Sequence, residues 1–204
     1  YRIKGKTTYA MEGSIFIAGA GVQWLRDKMK FFNKASDTEK IVKTLKSNND
    51  IYLVPAFTGL GAPYWDANSR GVLSGITRDT SPKEIIRATI EAVAYQTNDL
   101  FEAMKHDGLR PKIVKVDGGM VMNNWFSQFL SDVVKVKVLR PKVQETTALG
   151  AAFMAGLHIG VYKSLKDISK NWNVDKKFTP KMSNQQRSAL LKGWMLTVKR
   201  TLIN

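Results

Sequence analysis

Residues 81–106 carry the clearest structural signal in the chain. Ser81, Pro82 and Glu84 have the pattern of a capping box with a proline at the first helical position. Mostly apolar side chains then recur along one face at helical spacing, and they are Ile86, Ile90, Val93, Ala94, Thr97, Leu100, Phe101 and Met104. Gly108 can end the helix. A chain of 204 residues, 44% of them hydrophobic, can bury such a face in one substantial core.

Strand-like and helix-like segments alternate through the rest of the sequence. Apolar runs predict strands at residues 7–19, 51–57, 72–77, 112–117 and 136–141. Helical spacing or capping residues predict helices at residues 22–32, 124–134 and 146–160, and others that begin at Ser36 and Ser183. Small residues crowd the segment 146–160, so we expect another element to pack close to its backbone. The alternation indicates an α/β layered fold.

Composition excludes several classes of site and protein. The chain has no cysteine, which excludes disulfides, cysteine–zinc sites and thiol catalysis. No apolar run approaches the ~20 residues that cross a bilayer. The first eight residues are basic and polar and do not resemble a signal peptide. Because Tyr1 stands at the start in place of a methionine, we expect a piece of a longer polypeptide.

The net charge of +15 raises the question of nucleic-acid binding. The lysines are spread through nearly every segment, however, and no aromatic residues interleave with a basic stripe. We therefore expect no nucleic acid and no membrane as partners. The excess positive charge suits anionic small substrates or an acidic partner surface.

Two glycine-rich turns that follow predicted strands are the candidate binding sites. Gly19 precedes Gln23 by four residues, and Gly119 precedes Asn123 by four. In α/β folds ligands bind beyond the carboxyl ends of strands, where a glycine lacks a β-carbon and tolerates a positive φ. An amide in the first helical turn can contact a heterocycle while backbone N–H groups meet phosphate oxygens.

A structural interpretation of the same residues stays open at this point. Gly118 and Gly119 are also typical of an ordinary strand–helix turn. Asn123 or Asn124 fits the N-cap of the following helix, and Gln23 fits an exposed helical position. The residues alone do not rank the two interpretations.

The loop 58–71 and the acidic residues are predicted to be structural. We expect Tyr64 and Trp65 to fill the core, and Asp66 to pair with Arg70 and hold the loop. Three acidic positions could meet magnesium through water, although no ligand spacing supports such a site, and these are Glu12, Glu91 and Asp117. No Ser-His-Asp set and no carboxylate pair of catalytic type is recognisable.

Five separated blocks of sequence resemble the C-terminal half of the FGGY carbohydrate kinases, and within that family the glycerol kinases. The blocks are YAMEGSIFIAGAGVQWLRD (9–27), VPAFTGLGAPYWD (54–66), RATIEAVAYQTNDLFEAM (87–104), VDGGMVMNNWFSQFLSDV (116–133) and ETTALGAAFMAGL (145–157). The resemblance runs from Tyr1 to about Trp194, and the second block favours glycerol kinases over sugar kinases. The chain departs from the family at residues 67–69, where Ala-Asn-Ser replaces the more usual Pro-Tyr-Ala. We expect this change to alter only the loop surface.

The resemblance implies an α/β domain of the RNase H-like type, as in the actin, hexokinase and Hsp70 ATPase superfamily, with a mixed sheet flanked by helices on both faces. Residues 1–204 would form the C-terminal, nucleotide-side domain of a kinase, with about 163–204 as a helical extension of it. ATP binds between this domain and an N-terminal kinase domain. By position, Gly19 and Gln23 would be nucleotide contacts, and Gly119 and Asn123 would form the adenosine-binding motif.

The expected activity is ATP-dependent phosphorylation of glycerol to glycerol 3-phosphate, with ATP and Mg²⁺ as cofactors. The glycerol contacts and the catalytic aspartate of the family lie N-terminal to this chain, so no catalytic residue is expected here. The resemblance further implies a cytoplasmic homo-oligomer. Three alternatives stay open: another FGGY kinase acting on a polyol or sugar, a non-catalytic nucleotide-binding or interaction module, and a nucleic-acid binder, which would show steeply salt-dependent DNA affinity.

Overall fold

The computed structural model describes residues 1–202, and helices and strands alternate along it. The strands are β1 (Arg2–Ile3), β2 (Lys6–Thr7), β3 (Tyr52–Val54), β4 (Val72–Ser74), β5 (Ile113–Lys115), β6 (Lys137–Pro141) and β7 (Val174–Phe178). The helices are α1 (Gly19–Asp27), α2 (Asp37–Lys43), α3 (Pro82–His106), α4 (Asn124–Val134), α5 (Thr146–His158), α6 (Leu165–Ser169) and α7 (Asn184–Thr201). A 3₁₀ turn, Gly119–Met122, joins β5 to α4. The predicted α/β class is confirmed.

Helix α3 is the centre of the molecule, as its sequence predicts. The hydroxyl of Ser81 accepts a hydrogen bond from the backbone N–H of Lys83, and Glu84 accepts one from the N–H of Ser81 over 2.9 Å. The capping box is therefore complete. Residues from 84 to 99 are almost continuously buried, because α1, α2, α4, α7 and β3 all pack against this helix. Gly108 follows its end with φ +87°.

The strands form three small sheets. β1 pairs with β2, and β3 pairs with β4, both antiparallel. The third sheet has the order β5-β6-β7, in which β5 and β6 are parallel and β7 is antiparallel to β6. The segment after residue 162 thus supplies a strand as well as helices α6 and α7.

Several predicted elements are shorter than their patterns suggest, and the segments 7–19 and 22–32 differ most. The predicted strand 7–19 ends with β2, and residues 8–18 are irregular. Gly13 in this segment lies directly against the side chain of Leu100 on α3, so the segment packs on a helix instead of pairing in a sheet. The first predicted helix ends at Asp27, and Lys30 has φ +57°. Met29, placed on the helical stripe by its spacing, is exposed.

The main core lies between α3, α4, α7 and the β3–β4 sheet. Trp194 of α7 and Tyr95 of α3 are fully buried, and their rings stack with centroids 5.3 Å apart. Gly193 lets the ring of Tyr52 approach the backbone of α7, where any side chain would collide with it. The C-terminal helix is therefore part of the same core.

Helix α5 is the exception to this packing. Gly156 is the buried residue of Thr146–His158, and Met154 is among its exposed apolar side chains. Tyr162 lies against Gly156, but nothing lies within 4 Å of the position that a β-carbon on Gly150 would take. The expected close packing along this helix is seen at one glycine only.

No helix within residues 1–202 combines the length and apolar character needed to cross a membrane.

Candidate functional site

A cavity of about 390 Å³ lies between the start of α1, the approach to α2, and the turn from β5 into α4. All four residues predicted as nucleotide contacts line it: Gly19, Gln23, Gly119 and Asn123. The other lining residues are Val22, Arg26, Ala35, Ser36, Thr38, Glu39, Ile90, Met120 and Met122. Two turns separated by 100 residues in the sequence thus meet at one site.

The first wall of the cavity is helix α1. It begins at Gly19, and Ala18 at its N-cap makes no side-chain hydrogen bond to the helix. The first N–H groups of a helix have no partner within it and carry the positive end of its dipole. Gln23 follows one turn later and is exposed on the cavity side. The N–H of Gly21 donates to the carbonyl of Ala18 over 3.1 Å, so this arrangement can offer an anion the N–H groups of Gly19 and Ala20 and the amide of Gln23.

The second wall is the turn VDGGMVMNN between β5 and α4. Gly118 has φ +80°, which few residues other than glycine adopt. Gly119 begins the 3₁₀ turn, and the position of a β-carbon on it is clear of other atoms within 4 Å. The positive φ considered for Gly119 therefore belongs to Gly118. Gly119 leaves open space that faces the cavity.

Asn123 is the N-cap of α4, and its side chain also lies on the cavity wall. Its Oδ1 accepts a hydrogen bond from the backbone N–H of Phe126 over 2.9 Å, so it is the N-cap of α4. Its Nδ2 donates to Thr38 over 3.3 Å, and the side chain lines the cavity. One amide proton and one lone pair of oxygen remain available to a ligand.

The third wall is the segment leading into α2, which the sequence did not reveal as part of a site. It contributes Ala35, Ser36, Thr38 and Glu39. The predicted capping role of Ser36 is wrong, because its side chain makes no hydrogen bond to the helix. The backbone N–H of Lys34 donates instead to Asp37 over 3.1 Å. The exposed position of Ser36 leaves its hydroxyl on the cavity wall.

Glu39 is the acidic side chain of the cavity. It accepts hydrogen bonds from Lys43 over 2.5 Å and from the backbone N–H of Asn124 over 3.1 Å. Partial burial raises the pKa of Glu39, but the hydrogen bonds from these donors lower it by more. The pKa of Glu39 therefore lies below its usual range. Glu39 therefore carries its charge at neutral pH.

The acidic residues considered for magnesium are occupied elsewhere or solvated. The hydroxyl of Thr146 donates to Asp117, which joins the start of α5 to the end of β5. Glu91 is fully buried and accepts from Arg87 over 2.7 Å, while Glu12 is exposed. Within residues 1–202, no three His, Asp or Glu side chains cluster as metal ligands.

The loop 58–71 is held together differently from the prediction. Tyr64 is half-buried and donates to Asp99, as a core residue should, but Trp65 is 70% exposed with φ +51°. Asp66 accepts hydrogen bonds from Asn68 and Ser69. Arg70 donates to three nearby backbone carbonyls and not to Asp66. The predicted ion pair between Asp66 and Arg70 is therefore absent from this loop, and each side chain makes its own hydrogen bonds within it.

Comparison with known proteins identifies relatives along nearly the whole chain. Residues 2–159 match the C-terminal domain of the FGGY family of carbohydrate kinases. Glycerol kinase 1 of Pseudomonas aeruginosa is 52% identical over 200 residues, which are 98% of this chain and 40% of that protein. A glycerol kinase of Ectopseudomonas mendocina is 53% identical over 201 residues, 98% of this chain and 41% of the relative. The chain thus spans about two fifths of the length of these curated relatives.

Solved structures agree with the sequence comparison. The crystal structure of Plasmodium falciparum glycerol kinase with ADP superposes with a TM-score of 0.84 at 35% identity, over 93% of this chain and 38% of that one. A xylulose kinase of Lactobacillus acidophilus superposes with a TM-score of 0.77 at 24% identity, over 92% of this chain and 38% of that one. The second likeness concerns the fold alone.

Proposed function

The chain belongs to the FGGY family of carbohydrate kinases, and from this premise we propose that residues 1–204 form the nucleotide-side domain of an enzyme that phosphorylates glycerol with ATP. One observation carries the proposal. Gly19 and Gln23 from one turn and Gly119 and Asn123 from another line a single cavity. Glycerol as the acceptor is favoured by the relatives named glycerol kinase, which are identical to this chain at about half of the aligned positions.

In this proposal the cavity holds the nucleotide and orients it. The N–H groups of Gly19 and Ala20 at the start of α1 suit the phosphates. The open backbone at Gly119 leaves room for the adenosine. The amides of Gln23 and Asn123 suit the nucleoside, which has donors and acceptors on its base and ribose. Val22, Ile90 and Met120 supply the apolar surface that a base needs.

The reaction would be in-line transfer of the γ-phosphoryl group to a glycerol hydroxyl. Catalysis of this reaction consists mainly of positioning and of neutralising charge. Magnesium is part of the proposal as the companion of the ATP phosphates, whose charge it would neutralise. This chain's share is to bind ATP and hold its phosphates at the mouth of the cavity.

The catalytic base and the glycerol pocket are assigned to an N-terminal kinase domain. The relatives are about two and a half times as long as the part matched here, which leaves room for such a domain. Helix α5 supports the same idea, because this apolar helix has one buried residue and no element within residues 1–202 covers it. A homo-oligomer in the cytoplasm completes the proposal on the strength of the family resemblance.

The test is a kinase assay on the complete protein, this chain together with its N-terminal portion. We expect ADP to form with ATP and glycerol, and Gly119→Val to raise the KM for ATP without raising that for glycerol. A panel of pentoses and polyols distinguishes another FGGY kinase, which would prefer one of them. Binding of ATP with no turnover on any acceptor would indicate a non-catalytic module.

A further inference from the structure

Two adjacent residues of α2 contact two adjacent residues at the start of α4. Asn123 Nδ2 donates to Thr38 Oγ1 over 3.3 Å. The backbone N–H of Asn124 donates to Glu39 Oε2 over 3.1 Å, and Asn124 Nδ2 lies 3.4 Å from Glu39 Oε1. These contacts join elements that are 85 residues apart in the chain.

Glu39 caps a helix to which it does not belong. Asn124 is the first residue of α4, so its N–H has no acceptor inside the helix. A carboxylate at this position satisfies that N–H and faces the positive end of the helix dipole. The Glu39 side chain is 19% exposed, which places the contact close to the protein interior. Its second partner, Lys43, is 57% exposed and lies on the solvent side.

The contact lies where it can set the width of the cavity. Ala35 and Ser36 line one wall just before α2, and Asn123 lines the facing wall. Val42 anchors the far end of α2 in the core. The near end is attached to the facing wall through Thr38 and Glu39. If this attachment is lost, the two walls can separate while the core stays packed.

We propose that Glu39 is a positioning residue for the nucleotide, which holds the α2 wall against the start of α4 at the separation that an adenine nucleoside fills. The inference rests on the proposed function of the cavity. Glu39 acts through Asn124 and Asn123 and takes no part in the transfer itself. A change at Glu39 therefore affects nucleotide affinity and leaves kcat and glycerol binding nearly unchanged.

The experiment compares four forms of the complete kinase: wild type, Glu39→Ala, Glu39→Gln and Lys43→Ala. We expect Glu39→Ala to raise the Kd for ADP and the KM for ATP about tenfold, with kcat and the KM for glycerol within about twofold. Glu39→Gln keeps an oxygen for the Asn124 N–H and should recover most of the affinity. Lys43→Ala removes the exposed partner of the same carboxylate and should bind ADP like wild type.

Two results would overturn the inference. One is unchanged ADP affinity in Glu39→Ala. The other is a loss of kcat, glycerol binding and melting temperature in proportion to the loss of ATP binding, which indicates a general structural role. Gly119→Val, measured in parallel, separates this failure from failure of the proposed function. If Gly119→Val loses nucleotide affinity and Glu39→Ala does not, only the positioning role is wrong; if wild type binds no adenine nucleotide, both are wrong.

Discussion

Trp194 of α7 donates its indole N–H to Oδ2 of Asp99 on α3 over 2.7 Å. The hydroxyl of Tyr64, from the loop 58–71, donates to the same oxygen over 2.7 Å. Asp99 is buried, and burial raises the pKa of Asp99 above its usual range although both donors lower it. One carboxylate thus joins the loop, the central helix and the C-terminal helix. Burying it costs free energy when it is ionised and much less when it is protonated.

The substitution Asp99→Asn should change how stability depends on pH. A carboxyl group whose pKa is raised by folding stabilises the fold most below its unfolded pKa of about 3.9, and this contribution is lost as pH rises through the folded value. The unfolding free energy of wild type minus that of Asp99→Asn should therefore fall as pH increases from about 4. Urea unfolding of both proteins at several pH values between 4 and 7 measures this difference. Parallel curves would show that Asp99 is not desolvated as described.

Glu91→Gln should lower the free energy of unfolding strongly and change kcat little. Glu91 accepts from Arg87 over 2.7 Å and from Tyr95 over 2.9 Å, and its side chain is fully buried. Burial raises the pKa of Glu91 even though Arg87 lowers it. The neutral amide leaves Arg87 without its counter-charge, which costs about 3–5 kcal/mol.

Chemical unfolding and a coupled kinase assay of the complete protein test this expectation. Glu102→Gln is the matched control, because Glu102 lies on the same helix in an exposed pair with Lys105. The control should change stability by less than about 0.5 kcal/mol. A loss of several powers of ten in kcat for Glu91→Gln, with unchanged melting, would make Glu91 a catalytic residue instead.

The elements predicted best are those whose signals are local. The start of α3 follows from Ser81, Pro82 and Glu84, which lie within four consecutive residues and supply the capping box and the proline of the first turn. The N-cap of α4 was predicted at Asn123 or Asn124, and the structure places it at Asn123. The strand expected at 7–19 was wrong because the conformation of that segment depends on its contact with α3, through Gly13 and Leu100. No spacing within the segment reports that contact.

The same distinction applies to the candidate site. Glycine–amide pairs mark two of its walls in the sequence, since each pair lies within five residues. The α2 wall has no such mark, because Thr38 and Glu39 reach their partners across 85 residues. Trp65 was misplaced for a related reason: the left-handed backbone at this residue turns an aromatic side chain toward solvent.

The 204 residues alone should not phosphorylate glycerol, because the catalytic base and the acceptor pocket are proposed to lie in the N-terminal domain. A kinase assay of the isolated chain measures this.

Hydrogen exchange of helix α5 provides a structural measurement of the same proposal. Ile159 and Val161, just after it, are 73% and 67% exposed. Amide hydrogens of residues 146–158 should exchange quickly in the isolated chain and slowly in the complete kinase, because covering the helix suppresses its local opening. Residues 86–99 of α3 should be protected in both and serve as the internal control. Metal-dependent turnover by a clean preparation of the isolated chain would contradict the assignment.

Gly119→Val in the complete kinase should weaken ATP binding while the fold persists. A β-carbon on Gly119 meets no atom within 4 Å, so the substitution should be compatible with the fold, while the added side chain occupies space that a nucleotide would use. We expect a loss of at least about 1.4 kcal/mol in ATP binding, roughly tenfold, with glycerol binding unchanged. Gly118→Val is the contrasting variant, because φ +80° at Gly118 is strained for any other residue and should cost about 1–3 kcal/mol of stability. Calorimetric titration of the folded Gly119→Val protein with ATP and with glycerol separately decides the matter. If both affinities equal those of wild type, Gly119 does not lie at the nucleotide site, and the cavity must be assigned another ligand.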